Sequence, residues 1–105
     1  MSAWILLFIA ILLEVIATVQ LKLSEGFTRT DHAVSTVILF ALSFLFAAFA
    51  FKKIDISLAY SLWTGLGTVG IVTAGVLYFN EPSSMIKMFF VGLILIGAIG
   101  LNYYS

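Results

Sequence analysis

Cysteine is absent from these 105 residues, which excludes a disulfide framework and any thiolate metal site. Charge is nearly as scarce: 10% of residues are Asp, Glu, Lys or Arg, against about 25% in an average soluble domain. The acids and the single histidine show no spacing suited to a metal ion. No glycine-rich loop ending in Lys-Ser or Lys-Thr occurs, so nothing here would hydrolyse ATP. No metal, cofactor, nucleic-acid partner or enzymatic activity is expected, and active transport would have to draw on an ion gradient.

What the chain has in excess is apolar surface. Hydrophobic residues make up 63% of it and the mean hydropathy is +1.21. A hydrocarbon layer about 30 Å thick takes about 20 apolar residues per helix. Runs of that length occupy residues 3–21, 33–51, 57–79 and 85–104, which predicts an all-α integral membrane protein with four spans in one domain, residues 1–105. The first run has no basic flank and is long enough to span, so it is expected to stay in the mature protein rather than act as a signal peptide. Polar breaks separate the runs. "KLSEGFTRTDH" holds Lys22, Glu25, Arg29, Asp31 and His32, "KKID" holds Lys52, Lys53 and Asp55, and "NEPSSMIK" holds Glu81, the one proline and Lys87.

Outside those breaks Glu14 is the one charged side chain. An acid at mid-depth costs about 2.5–3.5 kcal/mol on insertion scales, so it must face a cavity, a partner or a proton rather than lipid. On a helix its face carries Leu7, Ala10, Ile11, Ala17, Thr18 and Leu21, and the small Ala10, Ala17 and Thr18 leave space around the carboxylate. No intramembrane base is available to pair with it. Neutrality then requires either a proton or a cation, and the two would compete for one group.

The third run offers a complementary wall. In "SLAYSLWTGLGTVG", Tyr60, Trp63 and Gly67 follow helical i, i+3, i+7 spacing, so two large rings share a face above a residue without a side chain. Aromatic faces attract cations, including those that make no hydrogen bonds. Gly65 and Gly67 weaken the middle of this helix and suit either a hinge or close packing. In the fourth run Gly92, Gly97 and Gly100 form a small-residue stripe suited to helix association.

Four short helices enclose too little volume for a substrate pathway, so transport would need more than one copy. The basic residues barely favour one orientation: Lys52 and Lys53 lie on one side, Lys22, Arg29 and Lys87 on the other. Such balance predicts insertion in both directions.

The segments "LLEVIATVQLKLSEGFTR" and "AYSLWTGLG", with the length and span count, resemble the small multidrug resistance family of proton-coupled exporters over essentially the whole chain. The resemblance implies an antiparallel, dual-topology homodimer in the inner (plasma) membrane. It also implies that Glu14 of both subunits binds substrate or protons, that Tyr60 and Trp63 line the pocket, and that Trp4, Ala10, Ala17, Thr18 and Ser43 line it with smaller roles. Ala17-Thr18 and "SEGFTR" look like the branch that exports hydrophobic and quaternary ammonium cations. "WTGLGTVG" and "NEP" look more like the guanidinium exporters and the paired members, and Phe40 stands where a promiscuous site has a Tyr. The expected function is therefore export of hydrophobic cations by alternating access. The alternatives are guanidinium or polyamine export, a heterodimer with a paralogue, or an accessory membrane subunit.

Overall fold

The computed structural model describes residues 2–104, which form four helices: α1 (Ala3–Leu23), α2 (Thr30–Phe51), α3 (Ile56–Tyr78) and α4 (Met85–Tyr104). At 1.5 Å per residue the 20 residues of α4, the shortest, reach about 30 Å, enough for a hydrocarbon layer. All four are apolar enough to cross a membrane.

The helix ends follow local chemistry rather than hydropathy. The Ser2 hydroxyl accepts from the Trp4 N–H at 3.2 Å and starts α1. α2 begins three residues before the apolar run, at Thr30, because the Arg29 carbonyl already accepts from the Ala33 N–H at 2.9 Å. Helix and hydrocarbon span are different lengths here: the polar first turn of α2 is helical but is not apolar. Between α1 and α2, the fully buried Ser24 organises the turn. Its hydroxyl donates to the Leu21 carbonyl at 2.6 Å and accepts from the Phe27 N–H at 3.2 Å, while Glu25, Gly26 and Phe27 all adopt left-handed backbone. At the other end of the chain, the Ser84 hydroxyl accepts from the Lys87 N–H at 3.1 Å and starts α4.

Packing is uneven. α1 lies against α2 and α3, whereas α4, among the described residues, packs on α3 alone. The core gathers Leu7 and Ile11 of α1, Ala50 of α2, Ile54 of the turn, and Leu58 and Ala59 of α3. It ties the first half of α1 to the α2–α3 turn, and so fixes α3 beside Glu14.

Candidate functional site

Glu14 sits midway along α1, half-buried, facing α3. The Trp63 indole N–H donates to its Oε2 at 3.0 Å. This bond spans two helices and fixes one rotamer of each side chain. Gly67, one turn further along α3, makes room for it: a Cβ there would lie 2.7 Å from the same oxygen. Trp63 and Gly67, expected on one face of α3, thus meet the acid of α1, with the glycine directly beneath the carboxylate.

Trp63 is itself held by rings. It meets Phe44 and Phe51 of α2 edge-on, at centroid distances of 6.0 and 5.9 Å, and Phe44 in turn stacks at 5.9 Å on Phe40. Glu14, Phe40, Phe44, Tyr60, Trp63 and Thr64 enclose a cavity of about 270 Å³. It presents one carboxylate, two hydroxyls and four aromatic rings. The Thr64 hydroxyl donates to the Tyr60 backbone carbonyl at 3.0 Å, leaving its oxygen as an acceptor. A cation placed here would meet a carboxylate and ring faces without a competing base.

Phe40, Tyr60 and Trp63 therefore lie on the cavity with Glu14, while the other residues read from the sequence lie elsewhere. Leu7, Ala10 and Ala17 are fully buried and Ile11 nearly so, all within helix contacts. Ser43, also fully buried, donates its hydroxyl to the Ala10 carbonyl at 2.7 Å and clamps α2 to α1. Thr18 donates to the Glu14 backbone carbonyl at 2.9 Å and lines a separate crevice further along α1 and α3. Trp4 is exposed on the first turn of α1. α3 continues as one helix through Gly65 and Gly67. A Cβ on Gly65 would approach Ala98 of α4 at 3.2 Å, so both glycines serve close approach in this conformer. Among the described residues, a Cβ added to Gly92, Gly97 or Gly100 would meet no neighbouring group within 4 Å. Phe44 and Thr64 were not singled out in the sequence. Their signal is helical spacing, i+4 from Phe40 and from Tyr60 respectively.

The profile of the Small Multidrug Resistance protein family matches residues 2–94. A guanidinium exporter of Yersinia pseudotuberculosis is 42% identical over 103 residues, covering 98% of this chain and 99% of that one. The uncharacterized membrane protein YvaE of Bacillus subtilis is 40% identical over 99 residues, 94% of this chain and 83% of that protein. A guanidinium exporter of Salmonella typhimurium is 38% identical over 100 residues, 95% of each chain. With four spans and matches of this extent, the chain belongs to the Small Multidrug Resistance family: it is a multi-pass membrane transporter, not an enzyme.

Proposed function

We propose that the chain is a proton-coupled antiporter that exports hydrophobic and quaternary ammonium cations, with Glu14 the shared ligand for cation and proton. The supporting observation is the Glu14 carboxylate, held by the Trp63 N–H at 3.0 Å on the wall of a cavity otherwise built from four aromatic rings and Thr64. A cation without N–H groups leaves no donor unsatisfied there, and ring faces attract it. Phe40 and Phe44 also border an apolar surface groove of about 560 Å³ with Leu21, Phe27, Val37 and Ala41, which suits bulky apolar substituents. Competition at one carboxylate supplies the coupling: a proton arriving from outside displaces the cation, and its release inside leaves an anion that another cation neutralises.

A second reading is export of guanidinium-type cations, favoured by the two guanidinium exporters that are 42% and 38% identical to this chain. A guanidinium carries several N–H donors and would need more acceptors than Glu14, Tyr60 and Thr64 supply in one chain. In the antiparallel, dual-topology homodimer that we also propose, a second copy would add its own. Tyr60 is exposed and the cavity open in the single chain, as expected of a site completed by a partner.

Liposomes holding only this protein should be offered tetraphenylphosphonium, guanidinium and a polyamine in turn while proton movement is recorded. Proton efflux coupled to tetraphenylphosphonium alone supports the first reading, and coupling to guanidinium alone supports the second. Silence toward all three removes homomeric antiport in favour of a heterodimer or an accessory subunit. Labelling of single cysteines introduced at Ser2 and Ser105 should find both termini on both sides of the membrane, and one-sided labelling would defeat dual topology.

A further inference from the structure

The aromatic cavity opens on Glu14, and a second cavity lies further along α1 and α3. A smaller crevice of about 80 Å³ opens between the ends of α1 and α3, lined by Thr18, Lys22, Ala74, Gly75, Phe79 and Glu81 among others. Its inner end is one helical turn from Glu14, where the Thr18 hydroxyl donates to the Glu14 carbonyl at 2.9 Å. Gly67 under the Glu14 carboxylate, Gly70 under Val15 and Ala74 at the crevice follow one another along a single face of α3, so Val15 stands between acid and crevice. The methyls of Val15 seat on Gly70, where an added Cβ would lie 2.8 Å from Cγ2.

The mouth of the crevice is built with equal specificity. Asn80 takes a left-handed backbone, φ 53°, and turns the chain so that the Glu81 N–H donates to the Gly75 carbonyl at 3.0 Å. The Glu81 carboxylate then folds onto Gly75, in space that any Cβ there would occupy. Lys22 of α1 rests its ammonium 5.5 Å from the Phe79 ring centre. From the α4 side, Lys87 donates to the Pro82 carbonyl at 3.2 Å. A hydroxyl, an ammonium and a carboxylate therefore wall a cavity with room for water, and among the described residues Lys22 and Glu81 form no direct ion pair that would fill it. An ordered water needs only about 10–15 Å³ of such volume and two to four polar partners.

We propose that this crevice is a hydrated proton entry to Glu14, distinct from the aromatic cavity, with Glu81 as the acid at its mouth. The inference rests on the antiport reading above. A proton binds a Glu81 carboxylate oxygen, passes to water beside Thr18, and reaches the Glu14 carboxylate when Val15 swings off Gly70. Glu81 is left as it began, and the proton on Glu14 weakens its hold on the cation. Hopping along water needs no room for a ligand, whereas a tetraaryl or tetraalkyl cation needs the larger cavity. Separate approaches let a proton arrive while the cation still covers the aromatic side, which a single shared opening would prevent.

The full chain in liposomes tests this by separating rate from affinity. Glu81→Gln should slow proton-driven tetraphenylphosphonium exchange about fivefold or more while leaving equilibrium binding at fixed pH within about twofold of wild type, and Glu81→Asp should restore at least about half the rate. A Glu81→Gln exchange rate equal to wild type, or a parallel loss of affinity, would overturn the proposal. Because the chain has no cysteine, the thiol introduced by Ala74→Cys reports hydration on its own. It should react with a small charged thiol reagent, and inertness would mean a dry crevice and overturn the proposal independently. Wild-type liposomes that exchange nothing would defeat the antiport reading, and the entry role with it, while the thiol measurement would still say whether the crevice holds water.

Discussion

Glycines in α3 and in α4 occupy similar stretches of apolar helix but have opposite surroundings. In α3 each of them is matched by a neighbour: Gly65 by Ala98, Gly67 by the Glu14 carboxylate, Gly70 by Val15 and Gly75 by the Glu81 carboxylate. In α4 an added Cβ on Gly92, Gly97 or Gly100 meets nothing. The α3 notches organise the interior of one chain, and two of them receive acids. Among the described residues the α4 stripe meets no neighbour, which leaves it open to the helix association that such stripes suit. One residue type thus makes room for acids on one helix and leaves an open surface on the next, and only the neighbours tell them apart.

The largest effect should come from removing the charge that α3 accommodates. Glu14→Gln keeps the shape but loses the group that the proposed antiport assigns to both ions, so calorimetry with tetraphenylphosphonium should find no binding and no pH dependence. In the wild type, affinity should rise with pH between about 5 and 9, because deprotonation frees the carboxylate for the cation. Glu14→Asp should keep binding with its profile moved to lower pH, since Asp has the lower reference value. A Glu14→Gln protein with the wild-type pH profile would place coupling elsewhere.

The next test adds one methyl where α3 approaches closest. Gly67→Ala puts a Cβ 2.7 Å from Glu14 Oε2, so the carboxylate must swing away and lose the Trp63 hydrogen bond. With the carboxylate pushed off its seat on the cavity, affinity for tetraphenylphosphonium should fall by about tenfold, about 1.4 kcal/mol. Unchanged affinity would mean that the Glu14–Trp63 contact does not shape the site. Trp63→Ala removes bond and ring together but leaves the carboxylate free to meet the ligand. The lost aromatic face should weaken a lipophilic cation by about 0.5–2 kcal/mol, read from the same titrations, and guanidinium by less. Equal loss for both cations would argue against selection by ring faces.

The spans were legible in the sequence because hydrophobic length is matched to the bilayer, but the helix ends were not, as the polar first turn of α2 shows. Glu14, Tyr60 and Trp63 were legible as a candidate site because an acid in an apolar run and paired rings are costly or conspicuous, whereas Phe40 was named only through the family resemblance. The rest of the Glu14 face was harder to assign. Helical periodicity places Leu7, Ala10, Ala17 and Glu14 on one side of α1, but that side meets both α2 and α3. Packing rather than period decides which residues are buried between helices and which open on the cavity. Ser43 shows the same limit. The family resemblance implies that it lines the pocket, yet its hydroxyl donates to the Ala10 carbonyl.

The smallest expected effect is the one that separates the two glycine sets most cleanly. Gly97→Ala adds a Cβ into open space, so nothing in the chain resists it, and alanine is a better helix former than glycine by about 0.5–1 kcal/mol. The single chain should therefore be stabilised by up to that amount, whereas the same change at Gly67 or Gly70 meets an atom under 3 Å away and should destabilise. Self-association should respond with the opposite sign. If a second copy packs on Gly92, Gly97 and Gly100, its helix approaches because Cβ atoms are missing, and a methyl at position 97 holds it off. Dilution of the detergent-solubilised protein should thus dissociate Gly97→Ala at higher protein concentration than wild type, while its denaturation midpoint as a monomer rises. A rise in monomer stability with no change in association would leave α4 facing lipid, and the dimer contact would have to be sought on the cavity side, around Tyr60.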